Sequence, residues 1–154
     1  MTFEELEPGL EITPVVRGPM TTMHLMRWSA AIENWHRIHY DLPFAVEHDK
    51  NAGLLVNGSW KQHLICQMLK DWAGPEGWVW KVRFQYRGAD LAGDTITADG
   101  RVAAKREEQG LGFVDCEVKL SNQRGVVSTE GTAVVVLPLE GGRRVPYPFE
   151  ESAS

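Results

Sequence analysis

The feature that most constrains the fold is an alternating run of residues in the second half of the chain. Its apolar side chains fall at every second position, which predicts a strand with one buried face: Trp78, Trp80, Val82, Phe84 and Tyr86. Alternation also predicts strands over residues 114–120 and 127–137, with a turn at residues 122–125 between them. A fourth strand is predicted over residues 95–104, ending before the charged residues 105–108. Connections this short exclude crossovers, so the strands are antiparallel.

The first half of the chain predicts helices instead. Over residues 60–72, apolar side chains recur at every fourth position, with Ser59 as the predicted N-cap and Gly74 as part of the stop signal. A less regular helical pattern runs from residue 21 or 22 to residue 35, and a strand is predicted before it, over residues 10–16. A long helix followed by antiparallel strands that can wrap it predicts an α+β fold.

Length and charge bound the possible functions. The 154 residues fit a single domain, predicted over residues 1–139, and residues 140–154 are expected to form a tail. The first few residues are likewise expected to lie outside the core. With a net charge of −5 and no cluster of Lys and Arg, the chain lacks the signature of a nucleic-acid binder. We expect a cytoplasmic protein without a membrane segment, because no long apolar run and no basic leader are present.

Cysteine does not organise this fold. Cys66 and Cys116 both lie among apolar neighbours, and their spacing matches no disulfide framework or zinc ribbon. Both are predicted to be buried thiols.

The most unusual stretch is residues 33–45, where two of the five histidines lie close together among other polar groups. Histidine is the residue type that can both accept and donate a proton near neutral pH, so His39 is a candidate acid and base. Asp41 or Glu33 could orient it. The spacing of His36 and His39 could suit a metal, but no further ligand stands at a familiar spacing, so no metal site is predicted.

This stretch resembles the signature of MaoC-like, R-specific enoyl-thioester hydratases and dehydratases, which have the hot-dog fold. His39 followed by five residues and then Ala45 has the spacing of that signature. Residues 36–41 are most similar to a branch that includes mesaconyl-, itaconyl- and methylfumaryl-type CoA hydratases. Residues 53–58 resemble the family's entry to its central helix, and Phe84 followed by residues 93–94 resembles its strand and structural turn.

The resemblance implies a site and a chemistry. His39 is the expected catalytic acid and base, with Asn34 and Asp41 as further catalytic residues. The family usually has Asp five residues before the histidine, and Asn34 stands there; an amide is no general base, but it can hold water by hydrogen bonds. The backbone N–H of Gly58 or Ser59, at the start of the predicted long helix, is expected to receive the developing charge on the thioester oxygen.

The resemblance also implies substrate and assembly. The expected substrate is an acyl-CoA thioester, with His36 among the substrate-binding residues and with no metal or redox cofactor. Hot-dog proteins usually pair two sheets edge to edge, so a homodimer or higher oligomer is expected. Two alternatives stay open: a hot-dog thioesterase, which the presence of Asn34 keeps possible, and an acyl-CoA-binding subunit that completes its site with a different partner chain.

Overall fold

A computed structural model describes residues 2–147 and 149, and it consists of one antiparallel sheet folded around one long helix. The strands are β1 (Glu11–Arg17), β2 (Trp78–Tyr86), β3 (Ile96–Glu108), β4 (Leu111–Asn122) and β5 (Val127–Pro138). The helices are α1 (Thr22–Ala31) and α2 (Gly58–Ala73). All neighbouring strands pair antiparallel in the order β1-β3-β4-β5-β2, so β1 and β2 form the two edges. The predicted α+β class is confirmed, as is the hot-dog fold that the resemblance implies.

The core lies between α2 and the sheet because both have one apolar face. On α2 the buried side chains recur at helical spacing, and they include Leu64, Ile65, Met68 and Leu69. Strand β4 supplies inward side chains at alternate positions, such as Val114, Cys116, Val118 and Leu120. The helix axis is thereby fixed against the sheet, and the N-terminus of α2 is held at one end of the core.

Two predicted boundaries are wrong. Strand β3 continues through the charged residues to Glu108, and only Gln109 and Gly110 form the turn into β4. The charged residues form a strand because each of them pairs with a residue of β4, and Arg106 also lies 2.8 Å from Asp115 of β4. Helix α1 ends at Ala31 rather than at residue 35, since Glu33 has a left-handed φ of 52° that no helix can continue through.

The ends of the chain are more closely packed than the sequence indicates. Phe3 and Leu6 are buried in the main core, which corrects the expectation that the first residues lie outside it. The part of the tail that is described has neither helix nor strand, but Val145 and Phe149 pack against a second apolar cluster of Leu111, Phe113 and Val136. Residues 148 and 150–154 of the predicted tail lie outside the described residues. None of the helices formed by the described residues has the length and apolar character that a bilayer-spanning segment requires.

Candidate active site

His39 lies at the end of a short 3₁₀ turn, Arg37–His39, and its side chain is buried with 6% exposure. Its Nδ1 atom is 2.9 Å from the carbonyl oxygen of Leu55. A carbonyl oxygen can only accept a hydrogen bond, so Nδ1 must carry the proton. In neutral His39 the other ring nitrogen, Nε2, therefore has a free lone pair, which is the form that a general base requires.

The backbone holds His39 close to the start of α2. The N–H of Leu55 donates to the carbonyl of Ile38 at 3.0 Å, while the carbonyl of Leu55 accepts from His39. Leu55 is thus bonded in both directions to the histidine turn, and Gly58, the first residue of α2, follows three positions later. The fold therefore bonds the predicted acid/base residue to Leu55, three positions before the predicted oxyanion residue Gly58.

At the N-terminus of α2, the N-cap is Asn57 and not Ser59 as predicted. Asn57 Oδ1 accepts from the Ser59 N–H at 3.0 Å and from the Ser59 hydroxyl at 2.7 Å. The Ser59 hydroxyl also accepts from the Trp28 indole N–H at 2.8 Å. Ser59 is therefore fully engaged inside the fold. The N–H of Gly58, in contrast, has no hydrogen-bond partner among the described residues.

Tyr86 lies directly against Gly58 and leaves little room for a side chain at that position. A Cβ atom added to Gly58 would lie 3.1 Å from Cζ of Tyr86. The Tyr86 hydroxyl donates to the carbonyl oxygen of Gly58 at 2.7 Å. The half-buried Gly58, the first residue of α2, is thus held through its carbonyl by a residue of β2.

Asn34 is placed by the abrupt end of α1. After the left-handed Glu33, the N–H of Asn34 donates to the carbonyl of Ser29 at 2.9 Å. The Asn34 Oδ1 atom accepts from the N–H of His36 at 3.2 Å, and the side chain is half-buried. Asn34 therefore begins the loop that carries His39.

Asp41 and His36 shape the histidine turn. The Asp41 carboxylate accepts from the Phe44 N–H at 3.1 Å and from Arg37 at 2.7 Å. These two hydrogen bonds, in that order, lower the pKa of Asp41. His36 is exposed, and its ring centroid lies 6.2 Å from that of His39. The expectation that Asp41 or Glu33 orients His39 is wrong, since the Leu55 carbonyl does so.

Three groups of the site were missed by the sequence: the Leu55 carbonyl, Asn57 and Tyr86. No sequence signal marks a carbonyl 16 positions away as the partner of His39. Asn57 and Ser59 are both of the types preferred at an N-cap, so composition could not choose between them. Tyr86 was recognisable only as a strand residue, because alternation indicates the face but not the neighbour.

Metal clusters, the two thiols and a cavity were the other features that could indicate a functional site. Within residues 2–147 and 149, no group of three or more His, Cys, Asp or Glu side chains converges as a metal site would require. Burial raises the pKa of the Cys116 thiol to about 12, so it stays protonated, whereas Cys66 is only half-buried. A cavity of about 940 Å³ is lined by residues of all five strands, and its lining contains none of the predicted site residues.

Solved structures of similar fold support the architecture. The (R)-hydratase from A. caviae involved in PHA biosynthesis is 22% identical, with a TM-score of 0.77 over 88% of this chain and 99% of that one. The unliganded R-hydratase PhaJ1 from Pseudomonas aeruginosa is 18% identical, with a TM-score of 0.79 over 99% of this chain and 95% of that one. A MaoC-like dehydratase from Rhodospirillum rubrum is 19% identical, with a TM-score of 0.78 over 90% of this chain and 97% of that one. At these identities the likeness establishes the fold.

Comparison of the sequence with family models identifies the family as well as the fold. No curated protein matches the chain. A family model, described as hydroxyacyl-thioester dehydratase type 2, matches residues 9–93. That match spans more than half of the chain and contains the histidine turn, the Leu55 carbonyl and the start of α2. The chain belongs to the hydroxyacyl-thioester dehydratase type 2 family.

Proposed function

We propose that this protein catalyses the reversible addition of water to the 2,3 double bond of an enoyl-CoA, which is the reverse of dehydrating a 3-hydroxyacyl-CoA. The observation that carries the proposal is the hydrogen bond between His39 and the Leu55 carbonyl. It fixes the tautomer that leaves Nε2 free, and it does so three residues before Gly58, whose N–H has no partner among the described residues. Family membership supports the same reaction class.

In the hydration direction, Nε2 of His39 accepts a proton from water while the water oxygen bonds to C3. The electron pair of the double bond moves toward C2 and the thioester carbonyl, forming an enolate. The protonated His39 then returns the proton to C2, so that one water molecule is added in total. Dehydration follows the same steps in reverse.

Gly58 supplies the electrostatic part of catalysis. Its N–H is the available donor at the positive end of α2, a 16-residue helix, and it would donate to the enolate oxygen. Removing one donor of this kind typically costs about 3 kcal/mol of transition-state stabilisation. Since the N–H of Ser59 already donates to Asn57, we assign the oxyanion role to Gly58 and a structural role to Ser59.

The remaining predicted residues act around this pair. We assign Asn34 to holding the attacking water through its amide, which both donates and accepts hydrogen bonds. Asp41 positions the histidine turn through its bonds to Arg37 and Phe44. His36, exposed beside His39, is assigned to substrate contact. The resemblance of residues 36–41 to the mesaconyl, itaconyl and methylfumaryl branch makes branched dicarboxylic enoyl-CoA esters the first substrates to test.

The proposal is tested with a panel of short, branched dicarboxylic, aromatic and steroid-sized enoyl-CoA esters. Enoyl absorbance and free CoA thiol are recorded together for the wild-type protein. We expect enoyl absorbance to fall without thiol release. His39→Ala should lower kcat by about 10²- to 10⁴-fold, because the proton carrier is lost.

His24→Ala is the matched control, since His24 is an exposed histidine at the start of α1. Its kcat should stay near the wild-type value. Release of thiol would replace the proposal with a thioesterase. Silence across the whole panel would instead favour a subunit that needs a different partner chain.

A further inference from the structure

A buried pair of opposite charges lies beneath the N-terminus of α2, and the reaction described above does not use it. Lys61 Nζ is 2.7 Å from Asp90 Oδ2, with side-chain exposures of 3% and 0%. The hydroxyl of Ser128 donates to the same carboxylate oxygen, and Lys61 also donates to the carbonyl of Gly88 at 3.0 Å. The pair therefore joins the first turn of α2 to the segment after β2 and to β5.

Helix stability does not explain a lysine at this place. A cation in the first turn of a helix opposes the helix dipole, and two charges lose their hydration when they are buried. Replacing a buried ion pair by apolar side chains is often neutral or stabilising. The pair instead fixes the position of the first turn of α2 relative to the segment that follows β2. The backbone carbonyl of Asp90 also accepts from the N–H of Val56 at 2.8 Å, so Asp90 holds the chain just before Asn57 and again at Lys61.

Tyr86 holds the residue between these two points. Its hydroxyl donates to the carbonyl oxygen of Gly58, and Lys61 Nζ lies 5.8 Å from the centroid of its ring. The N–H of Gly58 belongs to the preceding peptide group, whose carbonyl, that of Asn57, accepts from the N–H groups of Trp60 and Lys61. Contacts before, at and after Gly58 therefore all lead to β2, β5 and the segment that follows β2.

We propose that Tyr86, together with the buried Lys61–Asp90 pair, is a positioning device that fixes the direction of the Gly58 N–H for the oxyanion. This inference rests on the proposed function, in which that N–H stabilises the enolate. Donors of this kind act only when they lie about 2.7–3.1 Å from the place where the charge develops. Loss of the Tyr86 hydrogen bond or of the Lys61–Asp90 pair should therefore lower kcat and leave KM nearly unchanged.

Tyr86→Phe tests the inference most directly, since it removes the hydroxyl and keeps the ring against Gly58. Tyr86 is 51% exposed, so the change leaves no cavity in the core. We expect kcat to fall by about fivefold, the effect of one lost hydrogen bond, with KM within about twofold of wild type. Tyr147→Phe is the matched control, because Tyr147 is exposed and contacts Trp78 at the opposite end of β2. Its kcat should not change.

A second readout is independent of activity. Amide hydrogen exchange at Trp60 and Lys61, which bond to the Asn57 carbonyl, should become at least about fivefold faster in Tyr86→Phe, while residues 66–70 keep their rates. The double variant Lys61→Met/Asp90→Asn, which leaves no unpaired charge, should change exchange and kcat in the same direction.

The outcomes are distinct. The inference is overturned if Tyr86→Phe matches Tyr147→Phe in kcat, or if only KM rises. It is also overturned if exchange at residues 60 and 61 stays at the wild-type rate. If the wild-type protein hydrates no ester of the panel, the proposed function fails, and the exchange comparison alone then decides whether Tyr86 positions the start of α2.

Discussion

At the scale of single residues, the partner of His39 determines what the histidine can do. A carboxylate partner would fix the tautomer and also stabilise the imidazolium by its charge. The Leu55 carbonyl fixes the tautomer with a dipole only. In the proposed reaction, the imidazolium formed on His39 has no charged partner at Leu55, which would favour return of the proton to C2. The Leu55 carbonyl thus orients His39, while the Asp41 carboxylate is bonded to Arg37 and Phe44.

Substitution of Asn34 tests directly whether His39 is the base in the proposed reaction while residue 34 holds water. In Asn34→Asp, the introduced carboxylate can still accept from the His36 N–H, and it can also accept a proton as a second base. A solvent-accessible aspartate titrates near pH 4, at about its ordinary pKa. We therefore expect kcat at neutral pH to equal or exceed the wild-type value. We also expect a new acidic limb in the pH profile, because rate is lost as pH falls through the pKa of the introduced carboxyl.

The pH profile of hydration, recorded from about pH 3.5 to 8 on the same substrate, checks this prediction because that range spans the ordinary pKa of an aspartate. Asn34→Ala is the comparison, since it removes both the acceptor for His36 and the water-holding amide. Its kcat should fall without a new limb. If Asn34→Asp lowers kcat as much as Asn34→Ala does, the expectation that a carboxylate at this position acts as a second base is wrong. If Asn34→Ala keeps the wild-type kcat, the assigned role of Asn34 in holding water is wrong.

Some single-residue features of the candidate site could be predicted from the sequence, and others could not. The types and spacing of residues 33–45 indicated acid/base chemistry, because titratable side chains cluster there. The Leu55 carbonyl could not be predicted, since every residue has a carbonyl and only the folded chain brings this one to His39. The Lys61–Asp90 pair was likewise invisible, as its members lie 29 positions apart and exposed lysines are common on helices.

At the scale of elements, periodicity predicted the strands and the long helix where each had one apolar face. It failed at the end of β3, where charged residues that were expected to form a loop belong to the strand. It also failed at the end of α1, because the chain turns at Glu33 without glycine or proline. In both places a tertiary contact or a strained backbone decided the outcome, and neither has a signature in local composition.

Asp94 connects two elements that are distant in sequence. It accepts hydrogen bonds from the Leu91 N–H at 2.9 Å, from Gln123 at 2.9 Å and from Arg124 at 2.7 Å, so it ties the turn before β3 to the turn between β4 and β5. Burial raises the pKa of Asp94, but the hydrogen bonds, led by that of Arg124, outweigh it and lower the pKa.

The lowered pKa of Asp94 determines how its contribution to the free energy of unfolding changes with pH. Because the pKa of Asp94 is lower in the folded state than in the unfolded state, its ionised form stabilises the fold above about pH 4. That stabilisation is lost as pH falls through the folded-state pKa. Asp94→Asn should therefore lower the free energy of unfolding by about 1–2 kcal/mol at pH 7, a range reduced because Arg124 is exposed. The difference from wild type should shrink toward about pH 3.

Urea unfolding at about pH 7, 5 and 3, on either side of the ordinary carboxyl pKa, measures this effect. Asp99→Asn serves as the control, since Asp99 makes a surface ion pair with Lys119 at 3.5 Å. Its effect should stay below about 0.5 kcal/mol at each pH. A loss in Asp94→Asn that is the same at neutral and acidic pH would show that shape, and not charge, is what Asp94 contributes.

At the scale of the whole molecule, the two edges of the sheet are unequal. Strand β1 contains Pro14 and a register shift between Ile12 and Val15, which are features that discourage pairing with another chain. Strand β2 is nine residues long and contains no proline or glycine, although its register with β5 also shifts once. An edge strand of this length and composition is a template for a further strand. We therefore propose that two copies pair antiparallel through β2, as the hot-dog resemblance implies.

Such pairing has a measurable signature within β2 itself. In a monomer, backbone N–H groups on the outer side of β2 face water, so amides at alternate positions exchange quickly, while a second β2 strand would protect them. Sedimentation equilibrium should give twice the 17.3 kDa chain mass, and dilution should restore fast exchange at the alternate β2 amides. The outer amides of β1 should exchange quickly at every concentration. A mass of one chain at micromolar concentration, with alternate β2 amides unprotected, would contradict the pairing. Because Tyr86 is the last residue of β2 and contacts Gly58, pairing at this edge would also bring the second copy beside the start of α2.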